Sequence, residues 1–251
     1  MNQGECYLDI KNSFYEREEV VESLVSSERS EVAFNVIRNI IMRRFSLKRE
    51  LRFLEIGCGT GEFLERVSNL GEQLKVWGVD ISELAINKVK KRGISGFVLD
   101  VSRQKLPFPN DFFDMIYMGD VIEHLVDPDF MILEVKRTLK DGGYLILTTP
   151  NLASWYNRIL LTLGFQPIFS EVSTKKIFGR PGEKVVGHLR LFTLRSLKEF
   201  LSHYRFEIID VKGVCFHAFN SSLKLIDRFF SHFPSLSSII LIVAAKQSDK
   251  S

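Results

Sequence analysis

The sequence is poor in cysteine: Cys6, Cys58 and Cys215 are its whole complement. No two of them stand at a metal-ligand spacing and they form no paired framework. A disulfide scaffold and a zinc ribbon are therefore excluded, and a reducing compartment is expected. Charge of neither sign is in surplus. Thirty-four Lys and Arg stand against 31 Asp and Glu, a formal net charge of +3, too little to imply a nucleic-acid partner on its own. The basic groups Arg43, Arg44, Lys48, Arg49, Arg52 and Lys88, Lys90, Lys91, Arg92 read as solvated helix faces. Long apolar runs are missing too. Ile239 to Ala245 is too short to span a bilayer. The first residues carry Glu5 and Asp9 with no apolar core, so no signal peptide is expected. These absences leave a soluble, cytoplasmic globular protein without repeats or low-complexity tracts. Its 251 residues suit one α/β domain with embellishments.

What is present is a rhythm. Val32, Val36, Ile37, Ile40, Ile41 and Phe45 recur at helical spacing. From Leu51 short apolar runs alternate with helical stretches. Strands are expected at Leu51–Ile56, Leu74–Val79, Phe97–Leu99, Phe112–Met118 and Tyr144–Thr148. Helices are expected at Glu62–Leu70, Glu83–Arg92 and Phe130–Leu139. That alternation means a parallel sheet covered on both faces. After Pro150 the rhythm breaks. Leu152–Phe165 reads as an apolar helical stretch and Ser170–Gly187 as a loop. Thr193 reads as the N-cap of a helix running to His203. Phe206–Val214 and Ser238–Lys246 close the sheet, with a Phe-rich helix near Leu223–Phe230 between them. The fold class is α/β, a doubly wound, mostly parallel seven-stranded sheet. Residues 1–50 form an N-terminal helical segment, and 51–251 the sheet domain with an insertion at about 151–187. Phe14, Tyr15 and Val20 are possible anchors in the first segment.

The stretch "LEIGCGTGEFL", Leu54 to Leu64, is the richest in chemistry. Gly57, Gly59 and Gly61 follow the first strand. Backbone without Cβ permits positive φ and lets a ligand lie against the main chain, at the place where open α/β sheets bind ligands. The spacing G-x-G-x-G is one residue tighter than the dinucleotide fingerprint G-x-G-x-x-G. Asp80 ends the second strand, where a carboxylate can accept from both hydroxyls of a ribose. That acid suits either ligand; the glycine spacing separates them.

Four segments, "LEIGCGTGEFL", "VWGVDIS", "LDVSRQKLPFPNDFFDMIYMGDVIEHLVDP" and "KRTLKDGGYLILTTPN", follow one another in the order and at the intervals of the class I S-adenosylmethionine-dependent methyltransferases. The chain resembles that family strongly from Leu51 to Asn151 and more loosely to Lys246. "GHLRLFTLRSLKEFL" is similar to a segment of its small-molecule branch, which includes the O-methyltransferases of ubiquinone biosynthesis. The resemblance implies S-adenosylmethionine as cofactor. Gly57, Cys58, Gly59, Thr60 and Gly61 would cradle its methionyl part, with Glu55 helping to hold that end. Asp80 would take the ribose hydroxyls and Ile81 would pack on the adenine. Asp100 and Val101 would meet the adenine amino group. Met118, Gly119 and Asp120 would line the place where methyl donor and acceptor meet. Cys58 is expected to be a small loop residue and not a nucleophile, and Asp114 is expected to be structural.

A hydroxyl acceptor needs a base. Of five histidines, His124 stands just after the fourth strand and His188 at the edge of the insertion. Asp120, His124 and His188 are the catalytic candidates. Asp120, Glu123 and His124 lie at i, i+3 and i+4 and would share a face if the segment were helical, so a divalent ion there is an alternative. The ubiquinone-type enzymes show a similar Glu-x-x-Glu-His pattern; this chain has Asp where the first Glu would stand. The acceptor pocket is expected from parts outside the shared core. Trp155, Tyr156, Ile159, Leu160, Leu163 and Phe165 would make an apolar lid. Phe219, Leu223, Leu225, Phe229 and Phe230 would add a second apolar face. Such surfaces suit an aromatic, lipid-like or prenylated small molecule, and ordinary core or dimer packing equally. Lys175, Lys176, Arg180 and Lys184 could meet an anionic sugar or lipid head group.

The leading expectation is a methyltransferase acting on a small molecule at oxygen, as monomer or homodimer, with peripheral membrane contact open and no nucleic acid. The alternatives are an NAD-dependent oxidoreductase, which lacks a Tyr-x-x-x-Lys constellation here, and a non-catalytic cofactor-binding protein. A nucleic-acid methyltransferase would carry a motif such as Asn-Pro-Pro-Tyr where this chain has "MGDVIEHL".

Overall fold

The computed structural model describes residues 28–45, 49–173, 175–180, 185–216 and 221–248. The expectations placed on Cys6, Phe14, Tyr15, Val20, Lys48, Lys184 and Phe219 lie outside them. Seven strands form one sheet: β1 (Leu51–Ile56), β2 (Leu74–Asp80), β3 (Ser95–Val98), β4 (Phe113–Gly119), β5 (Leu139–Pro150), β6 (Phe206–Val214) and β7 (Ile239–Lys246). Their order is β3-β2-β1-β4-β5-β7-β6. The first five run parallel, and β7 lies antiparallel between β5 and β6. The helices are α1 (Glu28–Arg44), α2 (Glu62–Ser68), α3 (Glu83–Lys91), α4 (Pro128–Thr138), α5 (Trp155–Thr162), α6 (Leu194–His203) and α7 (Ser221–Ser231), with a 3-10 turn at Ile122–His124.

Side-chain alternation divides the apolar residues between two cores. Leu54, Ile56, Ile116 and Met118 pack on one face with Met131 and Val135 of α4 and Leu197 of α6. Phe53, Met115 and Tyr117 pack on the other with Ile37 and Ile41 of α1, Leu64 of α2 and Ile86 of α3. Both faces are thus apolar, as a parallel sheet requires. Truncating a fully buried residue such as Ile37 to Ala would cost about 2–5 kcal/mol. Within the described residues α1 runs from Glu28, with Glu28 and Glu31 in its first turn.

Other boundaries differ from the sequence reading, β5 beginning at Leu139 and not at Tyr144. Helix α4 starts at Pro128, with Asp127 accepting from Phe130 N at 2.9 Å. An Asp cap followed by Pro at the first helical position is a start signal that apolar periodicity alone overlooks. Strand β3 stops at Val98, so Asp100 lies two residues past the strand and not at its end. Between β1 and β4 the chain order reverses, since β2 and β3 lie on one side and β4 on the other. The carboxyl ends of β1 and β4 therefore open a crevice where the crossovers diverge.

Candidate active site

The crevice floor is the loop leaving β1. Gly57 N and Cys58 N both donate to Val79 O, at 2.8 and 3.1 Å, which folds the chain sharply over β2. The turn needs left-handed backbone: Gly57, Gly59 and Gly61 have φ of 73°, 50° and 79°. A Cβ on Gly57 would stand 2.4 Å from Val121 Cγ2, so the space is closed to any side chain as well as strained. The loop is tied down by the acid of the next strand. Asp80 Oδ2 accepts from Gly59 N and Oδ1 from Ser82 N, each at 2.9 Å. Asp100 shapes the third loop, its Oδ1 accepting from Ser102 N at 3.0 Å. Ile81 and Val101 are half-buried beside these two acids.

Glu55 is buried, and its Oε2 has no hydrogen-bond partner among the described residues. Burial, with Asp80 nearby, pushes its carboxyl well above the usual range, against the pull of Arg29. An orphaned acceptor of this kind costs free energy unless something supplies a donor. Cys58 is buried too, and burial followed by Asp80 and Glu55 raises its thiol well above the ordinary value. That keeps it protonated and unsuited to nucleophilic work.

Across the crevice stands the end of β4. Met118 is buried and Gly119 half-buried. Asp120 has φ 52°, so its carboxylate turns back: Oδ1 accepts from Thr148 Oγ1 at 2.9 Å, and Oδ2 pairs with Arg29 of α1. Tyr117 lies in register with Glu55 on the neighbouring strand. Burial raises its phenol to about 12, and Arg29 and Thr148 bond to it. Nothing in the sequence marks Arg29, Tyr117 or Thr148 as site residues. Arg29 stands in a polar stretch, and only the packing of α1 on the sheet brings it to strands that lie far along the chain.

The helix premise for Asp120, Glu123 and His124 is not met. The segment closes as a single 3-10 turn from Ile122, and Asp120 lies outside it, facing Arg29 and Thr148. Glu123 points elsewhere, its Oε2 accepting from Thr149 Oγ1 at 3.0 Å. The residue that joins Glu123 and His124 is His188. One ligand atom from each of the three lies within 4.8 Å of the others. The imidazoles are 4.7 Å apart, and Phe169 and Phe216 continue the aromatic wall at 5.3 Å steps. His124 Nδ1 meets Gly187 O at 3.1 Å and His188 Nδ1 meets Phe169 O at 3.2 Å. A carbonyl can only accept, so both Nδ1 atoms carry the hydrogen. Burial pushes the His188 imidazole below its usual range.

The loop that presents His188 is held from within. Leu189 N and Arg190 N both donate to Glu123 O, at 2.8 and 2.9 Å. Glu171 accepts from the backbone of Val186, Gly187 and His188 at 3.1, 2.9 and 3.1 Å. Arg180 faces it at 3.6 Å, both side chains buried. The remaining described histidines lie apart: His203 packs on Tyr204, and His232 bonds Arg228 O. Asp114 is a structural clamp, bonded by Arg52 N, Arg49 and Lys140. Of the expected lid, Tyr156 is buried and Trp155 stacks on Phe230, so these two support α5 from beneath; Ile159, Leu163 and Phe165 are exposed.

A methyltransferase-domain family model matches residues 30–211. The chain is 31% identical over 126 residues to a malonyl-[acyl-carrier protein] O-methyltransferase of a Paenibacillus species, covering 47% of this chain and 46% of that protein. It is 33% identical over 103 residues to a ubiquinone/menaquinone biosynthesis C-methyltransferase of Vibrio parahaemolyticus, covering 38% and 40%. The chain thus spans less than half the length of these curated relatives. Among solved structures, a SAM-dependent methyltransferase from Methanosarcina mazei superposes with a TM-score of 0.59 at 22% identity, over 84% of this chain and 98% of that one. That likeness is one of fold.

Proposed function

The chain belongs to the methyltransferase-domain family, and from that premise we propose that it moves a methyl group from S-adenosylmethionine to a hydroxyl oxygen of an apolar or aromatic small molecule. The crevice suits the cofactor on two counts. The loop carries left-handed main chain without a Cβ at Gly57, Gly59 and Gly61, and Glu55 Oε2 is buried without a hydrogen-bond partner among the described residues. Residues 57–61 with Glu55 would hold the methionyl end, Asp80 the ribose, Ile81, Asp100 and Val101 the adenine, and Met118 and Gly119 the reacting end. When bound, the cofactor supplies an already activated methyl group.

The protein's part is alignment, water exclusion and removal of one proton. His188 is half-buried and desolvation lowers its pKa, so it is neutral near pH 7. With Nδ1 donating to Phe169 O, its Nε2 is the atom that takes the acceptor's proton. His124 stands beside it and orients the same hydroxyl. Phe169 and Phe216 favour an acceptor with an apolar, aromatic body. Asp120, clamped by Thr148 and Arg29, fixes the rim between the two compartments.

The observation that carries this reading is the convergence of His124 and His188, whose rings lie 4.7 Å apart just past the carboxyl end of β4. Labelled cofactor incubated with candidate acceptors, with the product identified by mass and its methylated atom by NMR, tests it. Methylation at oxygen, falling by about 10²–10⁴ in kcat in His188→Asn with cofactor affinity kept, is expected. Methylation at carbon, the activity named for the Vibrio relative, would replace the acceptor assignment and leave the cofactor site standing. The Glu123, His124 and His188 atoms also suit a divalent ion, since an Nδ1–H held by a carbonyl is the usual orientation of an imidazole ligand. Activity abolished by a chelator and restored by one cation would select that role.

A further inference from the structure

Helices α5 and α7 carry apolar residues that are exposed among the described residues. Trp155 of α5 stacks on Phe230 of α7 at 5.4 Å and donates Nε1–H to Asp227, so the two helices form one unit. On the outer side Leu225 is 72% exposed, Phe229 61% and Leu163 66%, with Ile159, Phe165 and Phe233 beside them at about half. An apolar surface of this extent on a monomer marks a contact.

The exposed charges carried by α5, the stretch that follows it and α7 have one sign. Across α5, the 163–180 segment and α7, the exposed charged residues among those described are Arg158, Lys175, Lys176, Lys224 and Arg228, all basic. The two acids of these stretches are withdrawn into the interior. Glu171 bonds three backbone N–H groups, and Asp227 bonds Trp155 and Phe216 N. The chain as a whole is nearly balanced, 34 basic against 31 acidic residues, so a face without exposed acid is a local arrangement. A second copy of this chain would bring basic groups against basic groups. Aliphatic and aromatic residues interspersed with Lys and Arg on short helices are instead the pattern of an element lying in a membrane interface. No helix among the described residues is long and apolar enough to cross a membrane.

We infer that the α5–α7 face docks the protein peripherally onto an anionic lipid bilayer. Its place in the fold gives the docking a use. Helix α5 starts five residues after β5 ends at Pro150, and α7 leads into β7, whose Ile239 pairs with Pro150. The face therefore sits at the carboxyl end of the parallel strands, where the glycine loop and the paired histidines open. An acceptor dissolved in the bilayer would meet the crevice without crossing water.

The test is sedimentation of the full chain with vesicles, without cofactor, so that it stands apart from methyl transfer. Vesicles of phosphatidylglycerol and phosphatidylcholine are compared with phosphatidylcholine alone. Binding to the anionic vesicles, weakened by salt and nearly absent on the neutral ones, is expected. Leu225→Ser with Phe229→Ser should lower the partition by roughly tenfold or more, and Lys224→Gln with Arg228→Gln should lower it and flatten the salt dependence. All four side chains are exposed, and an unchanged Tm verifies that each variant is folded. No binding to anionic vesicles, equal binding to both kinds, or binding indifferent to these changes would overturn the inference. So would a dimer in analytical ultracentrifugation that Leu225→Ser with Phe229→Ser dissolves, since the face would then belong to a second copy.

Discussion

The two ends of the sheet differ in how they are held together. Around β1, β2 and β4 the crevice is backbone: glycines in left-handed conformation, carbonyls of Val79, and two acids that bond N–H groups. Around β5 and β7 the walls are side chains: aromatic rings, a buried Glu171 with Arg180, and helices with exposed apolar faces. The first arrangement fits one ligand shape closely, because main chain cannot be exchanged. The second can be re-cut by substitution. A shared donor with a variable acceptor calls for that division.

Substitutions should separate the two ends. Glu171→Ala strips three N–H groups of their acceptor and leaves the buried Arg180 without its carboxylate. A stability loss of about 3–5 kcal/mol is expected in chemical denaturation. In the protein that remains folded, transfer should fail while S-adenosylhomocysteine still binds. Gly57→Ala does the reverse. It places a Cβ against Val121 at φ 73°, at a strain of about 1–3 kcal/mol. Calorimetry should find cofactor affinity gone while the α5–α7 face still partitions to vesicles.

Glu55→Gln probes the crevice by pH. The folded carboxyl is held protonated well above its ordinary 4.5, whereas the unfolded chain ionises there. Folding is therefore favoured below that pH, and this contribution is lost as pH rises through the raised value. The variant should lose this part of the pH dependence, melt higher than the parent at pH 8, and bind cofactor weakly. The smallest effect belongs to neither end. Arg195 and Glu199 on α6 form an exposed pair, and Arg195→Ala should leave both the unfolding midpoint and transfer unchanged.

The backbone-built end was legible because its signals are local. Three glycines after an apolar run, and an acid at the end of the next, need only short stretches of chain to be read. The side-chain-built end was read in part. The sequence marks His124 and His188 singly, but their meeting depends on Leu189 and Arg190 bonding Glu123 O, a contact between distant segments. Asp120 was grouped with Glu123 on the premise of an α-helix, and one turn of tighter helix after a positive φ sends their carboxylates apart. Arg29 and Glu171 gave no motif, since each acquires its surroundings only through tertiary packing.

The claim on which both ends depend is that the glycine loop and Asp80 grip the sugar and methionyl parts of a sulfur nucleoside. Titration calorimetry of S-adenosylhomocysteine into the parent chain and Asp80→Asn tests it directly. One saturating site per chain, weakened about 10- to 100-fold by the substitution as befits a lost charged acceptor, is the expected result. No heat of binding in the parent, or equal affinity in the two proteins, would contradict it.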